Sequence, residues 1–112
     1  MAVAVNVFRT FTETVGVTTS TFYTAPNGYS GVVLLAQVTN TGSSTQTITV
    51  DYKRGTTDIE THVVKDLAVP PNDTANLLAG KLVVETGDKL TIVGSNGTDL
   101  KFLSSILETS NI

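Results

Sequence analysis

The chain holds one histidine, His62, and no cysteine. A Ser-His-Asp triad needs a histidine between two partners, and a zinc centre commonly needs several nitrogen or sulfur ligands. One His62 supplies neither within one chain. A lone histidine among strand residues reads as a surface or interface side chain. Carboxylates come next, because two of them flanking a bond can hydrolyse a glycoside. Asp51, Asp58, Glu60, Asp66, Asp73, Glu85, Asp88, Asp99 and Glu108 are scattered, mostly at strand ends and turns. They read as a solvated rim and as turn caps, Asp73 and Asp88 following turn residues. No loop gathers the regularly spaced oxygens of a calcium site. No glycine cluster opens a helix to cradle a phosphate. Tyr23, Tyr29, Tyr52, Phe8, Phe11, Phe22 and Phe102 are too dispersed for a sugar platform, and core packing suits them better. No catalytic, cofactor-binding or metal-ligating residue is assigned, no cofactor is expected, and the chain is not expected to be an enzyme.

Composition narrows the partners. Seven Lys+Arg against ten Asp+Glu give a formal charge of −3, with no basic run. Nucleic-acid binding lacks its electrostatic source, so no nucleic acid is expected. Only 15% of residues are charged, against about 25% in ordinary soluble domains. Twenty Thr and eight Ser fill the space instead. Threonine is stiff at χ1 and suits a pleated, half-buried surface. A threonine-rich surface with few charges also costs little to desolvate in protein–protein contact. No stretch approaches 18 consecutive apolar residues, so no membrane span is expected. Met1 to Arg9 lacks the basic-then-apolar pattern of a secretory signal.

The elements that position these residues follow period two, the strand signature. Strands are expected at 11–17, 20–24, 31–39, 46–52, 59–67, 76–78, 81–85, 89–93 and 100–107. Ala25-Pro26-Asn27-Gly28 is a turn, since proline fixes φ and Asn-Gly accepts positive φ. The strand from Gly31 to Thr39 is apolar on both faces and reads as central. With Gln46 to Tyr52 it forms the best candidate hairpin. Ser95-Asn96-Gly97-Thr98 is the strongest hairpin signal, a type I′ turn. Pro70-Pro71 ends a strand because proline cannot donate to a ladder.

The fold class is all-β: an antiparallel β-sandwich, jelly-roll-like, of about eight strands. Its inward residues are expected to be Val15, Val17, Val33, Leu35, Ile48, Val50, Val63, Leu82, Val84, Leu90, Ile92, Leu103 and Leu107. A length of 112 residues suits one domain. Residues 11–112 form it. Residues 1–10 are either an edge strand or an arm that adds to a neighbouring subunit's sheet. Val3, Val5, Val7 and Phe8 are the candidate interaction residues.

Several phrases then converge in order: Tyr23 to Gly28, Val38 to Thr41 with Ile48-Thr49-Val50, Val63-Val64-Lys65 with Val69 to Asn72, Gly80 to Leu90, and Ser105 to Glu108. This order resembles a family of small β-sandwich virion proteins of tailed bacteriophages, common among phages of marine bacteria and cyanobacteria. The resemblance covers about residues 20–108 and transfers no site, because the matching positions are turns and core. It implies a virion structural component, foremost a capsid decoration (cement) protein on the phage major capsid protein. It would form a homo-oligomer, a trimer being favoured. A neck, tail or fibre-attachment component is the runner-up, and a carbohydrate-binding module a more distant one.

Overall fold

The computed structural model describes residues 5–111. Nine strands run in order: β1 Asn6–Thr14, β2 Ser20–Thr24, β3 Tyr29–Asn40, β4 Gln46–Lys53, β5 Glu60–Val69, β6 Thr74–Asn76, β7 Leu82–Val84, β8 Lys89–Gly94 and β9 Leu100–Ser110. All their pairings are antiparallel. One sheet has the order β1-β9-β3-β6, with β7 also on β3; the other is β2-β8-β4-β5. β6 pairs with Gln37–Thr39 and β7 with Gly31–Val33, so together they act as one interrupted strand. Counted that way, the eight strands follow the jelly-roll order, two Greek keys wrapped into a sandwich.

This topology overturns both expected hairpins. β3 and β4 lie in different sheets, and so do β8 and β9. The Asn96-Gly97 loop is a crossover: the Asn96 side-chain oxygen accepts from the N–H of Thr98 at 2.7 Å and of Asp99 at 2.9 Å. Gly97 is not in the positive-φ region that a type I′ turn demands. The Pro26-Asn27-Gly28 turn forms as expected, with Gly28 at φ 84° and the Tyr29 N–H on the Pro26 carbonyl. Asn40, expected in a loop, is the last residue of β3 and wholly buried.

Val33, Val38, Ile48, Leu90, Ile92, Leu100 and Ile106 fill the space between the sheets. The expected core is corrected at four positions. Val17 is 64% exposed, because β1 ends at Thr14. A bulge between Val33 and Leu35 shifts the alternation of β3, so Ala36 and Val38 are buried and Leu35 faces out. In β9 the buried set is Leu100, Phe102, Ser104, Ile106 and Glu108, so Leu103 and Leu107 lie on the outer face. A one-residue change of parity moves every side chain to the other face.

Candidate interaction surface

The residues with chemical potential are used to hold strands. Glu108 is 4% exposed on the inward face of β9. The Tyr23 hydroxyl of β2 donates to it at 2.8 Å, and Arg9 Nε of β1 at 2.6 Å. A buried carboxylate without such partners is strongly disfavoured. Burial, and donation to Glu108, push the Tyr23 phenol well above its ordinary pKa. Gly31, paired with Glu108, makes room for this reach: a Cβ there would meet the Tyr23 ring at 2.6 Å.

Asp88, also 4% exposed, takes the Tyr52 hydroxyl at 2.6 Å, the Gly55 N–H at 2.9 Å and Arg54 Nη1 at 2.7 Å. Burial alone would raise its pKa, but these donors outweigh it and hold the carboxyl below its ordinary value. The cluster ties the β4–β5 hairpin to the β7–β8 crossover. Glu108 is therefore not the solvated rim group expected from sequence, and Asp88, expected to cap its own turn, takes the backbone N–H of the distant Gly55 instead. His62 pairs with Asp51 across β5 and β4, on the outer face of their sheet. Tyr52 and Arg54 border an open cleft of about 470 Å³ between β5 and β7, but their polar groups are already engaged with Asp88 and Glu85. Phe11 packs edge-on to Tyr23, and Phe22 to Phe102. Among the described residues, no three His, Asp or Glu side chains converge as a metal site would need.

The outer faces of the two sheets differ sharply. On the β2-β8-β4-β5 sheet, Asp51, Lys53, Glu60, His62 and Lys89 occupy paired outward positions. On the other sheet the register lines up Phe8, Leu107, Val32 and Val83 in one row across β1, β9, β3 and β7. Phe8 is 75% exposed and Val83 55%, with Leu34 of the bulge at 41%. The next rows hold Thr10, Ser105 and Leu35, then Thr12, Leu103, Gln37 and Asn76. Lys101, in the last row, is the one charged residue at these outward positions among the described residues. An open hollow of about 490 Å³ lies at that end, bordered by Thr12, Gln37, Thr39, Lys101 and Leu103.

Of the four candidate interaction residues, Val3 lies outside the described residues. Phe8 projects from the outer face. Val7 pairs with Glu108 and so points to the other side of β1. Val5 precedes the strand, 43% exposed, its carbonyl accepting the Ser110 N–H. From Asn6 onward the segment runs straight into β1, paired along its length with β9. Sequence reasoning missed Val32, Val83 and Leu107. The signal was there in β9, whose apolar residues stand at both parities, Phe102 beside Leu103 and Ile106 beside Leu107.

No family model matches the sequence, and no curated protein does. Solved structures match the fold. A chain from Bacillus endospore appendages, described as a family of disulfide-linked pili, aligns over 96% of this chain and 87% of its own length, with a TM-score of 0.54 and 16% identity. A chain of the infectious bursal disease virus Gx strain aligns over 96% of this chain with a TM-score of 0.57 and 14% identity. This chain spans only 32% of that viral chain's length. At such identities the likeness is one of fold: this chain is an all-β jelly-roll sandwich.

Proposed function

We propose that this chain is a structural subunit of a bacteriophage particle, a decoration (cement) protein seated on the assembled head. The observation that carries an assembly role is the division of its polar groups. The buried ones hold strands together, and one whole sheet face is left almost without charge. Such a surface is suited to protein contact rather than to substrate turnover, and the subunit acts by binding alone. A fold shared with a pilus chain and a virus chain agrees with this reading, and the order of phrases from Tyr23 to Glu108 supplies the phage setting. No cysteine is available in this sequence for the disulfide linkage named for those pili.

The mechanism is added buried area at joints between capsid subunits, of the order of 1,600 Å² for a stable contact. Copies on a regular lattice gain by avidity. A protein that binds only the assembled shell stabilises that shell by linkage. Quantitative mass spectrometry of purified particles tests the reading. Hundreds of copies per particle are expected. Six to a few dozen would move the chain to the neck or tail, and absence from the particle would overturn a structural role.

A further inference from the structure

The outer face of the β1-β9-β3-β6/β7 sheet is nearly free of charge, carries a continuous apolar row from Phe8 to Val83, and is uncovered among the described residues. Three of the exposed large apolar residues, Phe8, Leu34 and Val83, lie on it. Monomeric domains seldom leave a contiguous apolar patch uncovered unless something binds there. We propose that this face packs against the same face of a second copy, giving a two-fold dimer with sheet on sheet. The inference concerns the free protein and does not rest on the particle reading; on that reading this face joins copies of the subunit, and other surfaces of the dimer meet the shell.

The occupant follows from charge and size. A nucleic acid needs several cations, and the face offers Lys101 alone. A partner bearing several charges would have to bury them against threonine, valine and leucine, with Lys101 alone among the described residues to pair one. The face that fits is one equally poor in charge, and this chain supplies it. The area is also adequate. Four strands about 4.8 Å apart, over the length of β9 at about 3.4 Å per residue, present about 700 Å². A stable interface takes about 600–1,000 Å² from each partner. Two such faces stack about 10 Å apart with strands about 30° from aligned, as sheets do within a sandwich. A two-fold axis lying across the strands sets the two Lys101 residues at opposite ends of the contact, where both stay solvated. The row of Phe8, Leu107, Val32 and Val83 then forms the dry part of the interface, with Phe8 as its aromatic anchor.

Sedimentation velocity on the full chain tests this. The wild type is expected to sediment at twice its 11.8 kDa at micromolar concentration. Phe8→Glu and, separately, Val83→Glu should each weaken the dimer by about 100-fold or more, because each buries an unpaired charge at the contact. Thr21→Glu, exposed on the opposite sheet, should leave the dimer intact. Circular dichroism melts of each variant establish that it is folded, and two substitution sites guard against one of them failing. A wild type that stays monomeric at 100-fold higher concentration overturns the proposal. So does a trimer, or a dimer that both glutamate variants leave unchanged.

Discussion

Replacing Gly31 with alanine sets two effects against each other, and the structure says which wins. A glycine in a strand interior costs about 0.5–1 kcal/mol relative to alanine, because it gives up more freedom on folding. Gly31 has no positive φ, so its backbone accepts a side chain without strain. On those grounds alone Gly31→Ala would stabilise. The added Cβ, however, would lie 2.6 Å from both Cε2 and the hydroxyl oxygen of Tyr23. The ring must shift. Overpacking of this kind costs about 1–3 kcal/mol. The shift also pulls the hydroxyl from Glu108, and an unsatisfied buried acceptor costs about 1–3 kcal/mol more. The net effect is a loss of about 1–5 kcal/mol, since overpacking and the lost hydrogen bond together exceed the glycine term. A domain this size unfolds with an entropy of about 0.24 kcal/mol/K, so each kcal/mol moves Tm by about 4 °C. Thermal melts by circular dichroism should therefore place Gly31→Ala about 4–20 °C below wild type. The cause is checked in a Tyr23→Leu background, where no ring remains to clash. There the alanine should be neutral or slightly stabilising, a strongly non-additive pair. An equal loss in both backgrounds, or a raised Tm in the wild-type background, would refute the reasoning.

The other predictions concern charge, core and register. Asp88 has a folded pKa below its ordinary value of 3.8, so its stabilisation is complete above that value and is lost as pH falls through the folded pKa. Calorimetry should find Asp88→Asn less stable than wild type at pH 6, with the gap closing toward pH 3; a gap constant with pH would sink the idea. Val33 is 1% exposed, and Val33→Asp should abolish the cooperative melt, because an unpaired carboxylate is not tolerated there. Phe102→Ala should cost about 3–5 kcal/mol by denaturant titration, whereas Leu103→Ser on the outer face should cost under about 1 kcal/mol; equal losses would mean the register of β9 is misassigned.

Much of the fold is legible in the residues, but only at the range over which each signal acts. Period two and the turn residues are local, and they place the strands closely: Ser20–Thr24 lies where expected, and β8 and β9 differ only at their ends. Partner choice is not local. Asn96-Gly97 says that the chain reverses; it does not say whether the next strand returns beside the last or crosses to the other sheet. In a jelly roll most reversals cross, and β4 and β5 are the one pair of consecutive strands hydrogen-bonded to each other among the described residues. Parity fails for a related reason. β3 and β9 are central strands with apolar residues on both faces, so alternation carries no sign there. The bulge at Leu34 shifts it once more. The apolar outer face was thus invisible in the sequence, because Leu35, Leu103 and Leu107 read as core. Phe8 is legible only with its whole apolar segment; alternation does not separate it from Val7, which points to the other side of β1.

The same crossings explain why the acidic residues resemble candidates for chemistry and are not placed for it. A chain that changes sheet must bury backbone and polar groups at each passage, and these need partners. Asn40 ends β3 at one passage. Its amide nitrogen donates to the carbonyls of Ser44 at 2.7 Å and Val69 at 2.9 Å, and its oxygen accepts the Gly42 N–H. Asp88 does the equivalent work where β7 passes into β8, and Glu108 ties β9 to β1 and β2. Among the described residues no buried side-chain nitrogen or oxygen lacks a partner. Each of these groups costs desolvation that an apolar residue would avoid. What they supply is direction: an alternative crossing would leave a carboxylate or an amide buried and unpaired. With these polar residues committed to the crossings, the outer face of β1, β9, β3 and β7 keeps Lys101 as its one charge among the described residues and carries one apolar row, Phe8, Leu107, Val32 and Val83, beside rows rich in threonine, serine and amides.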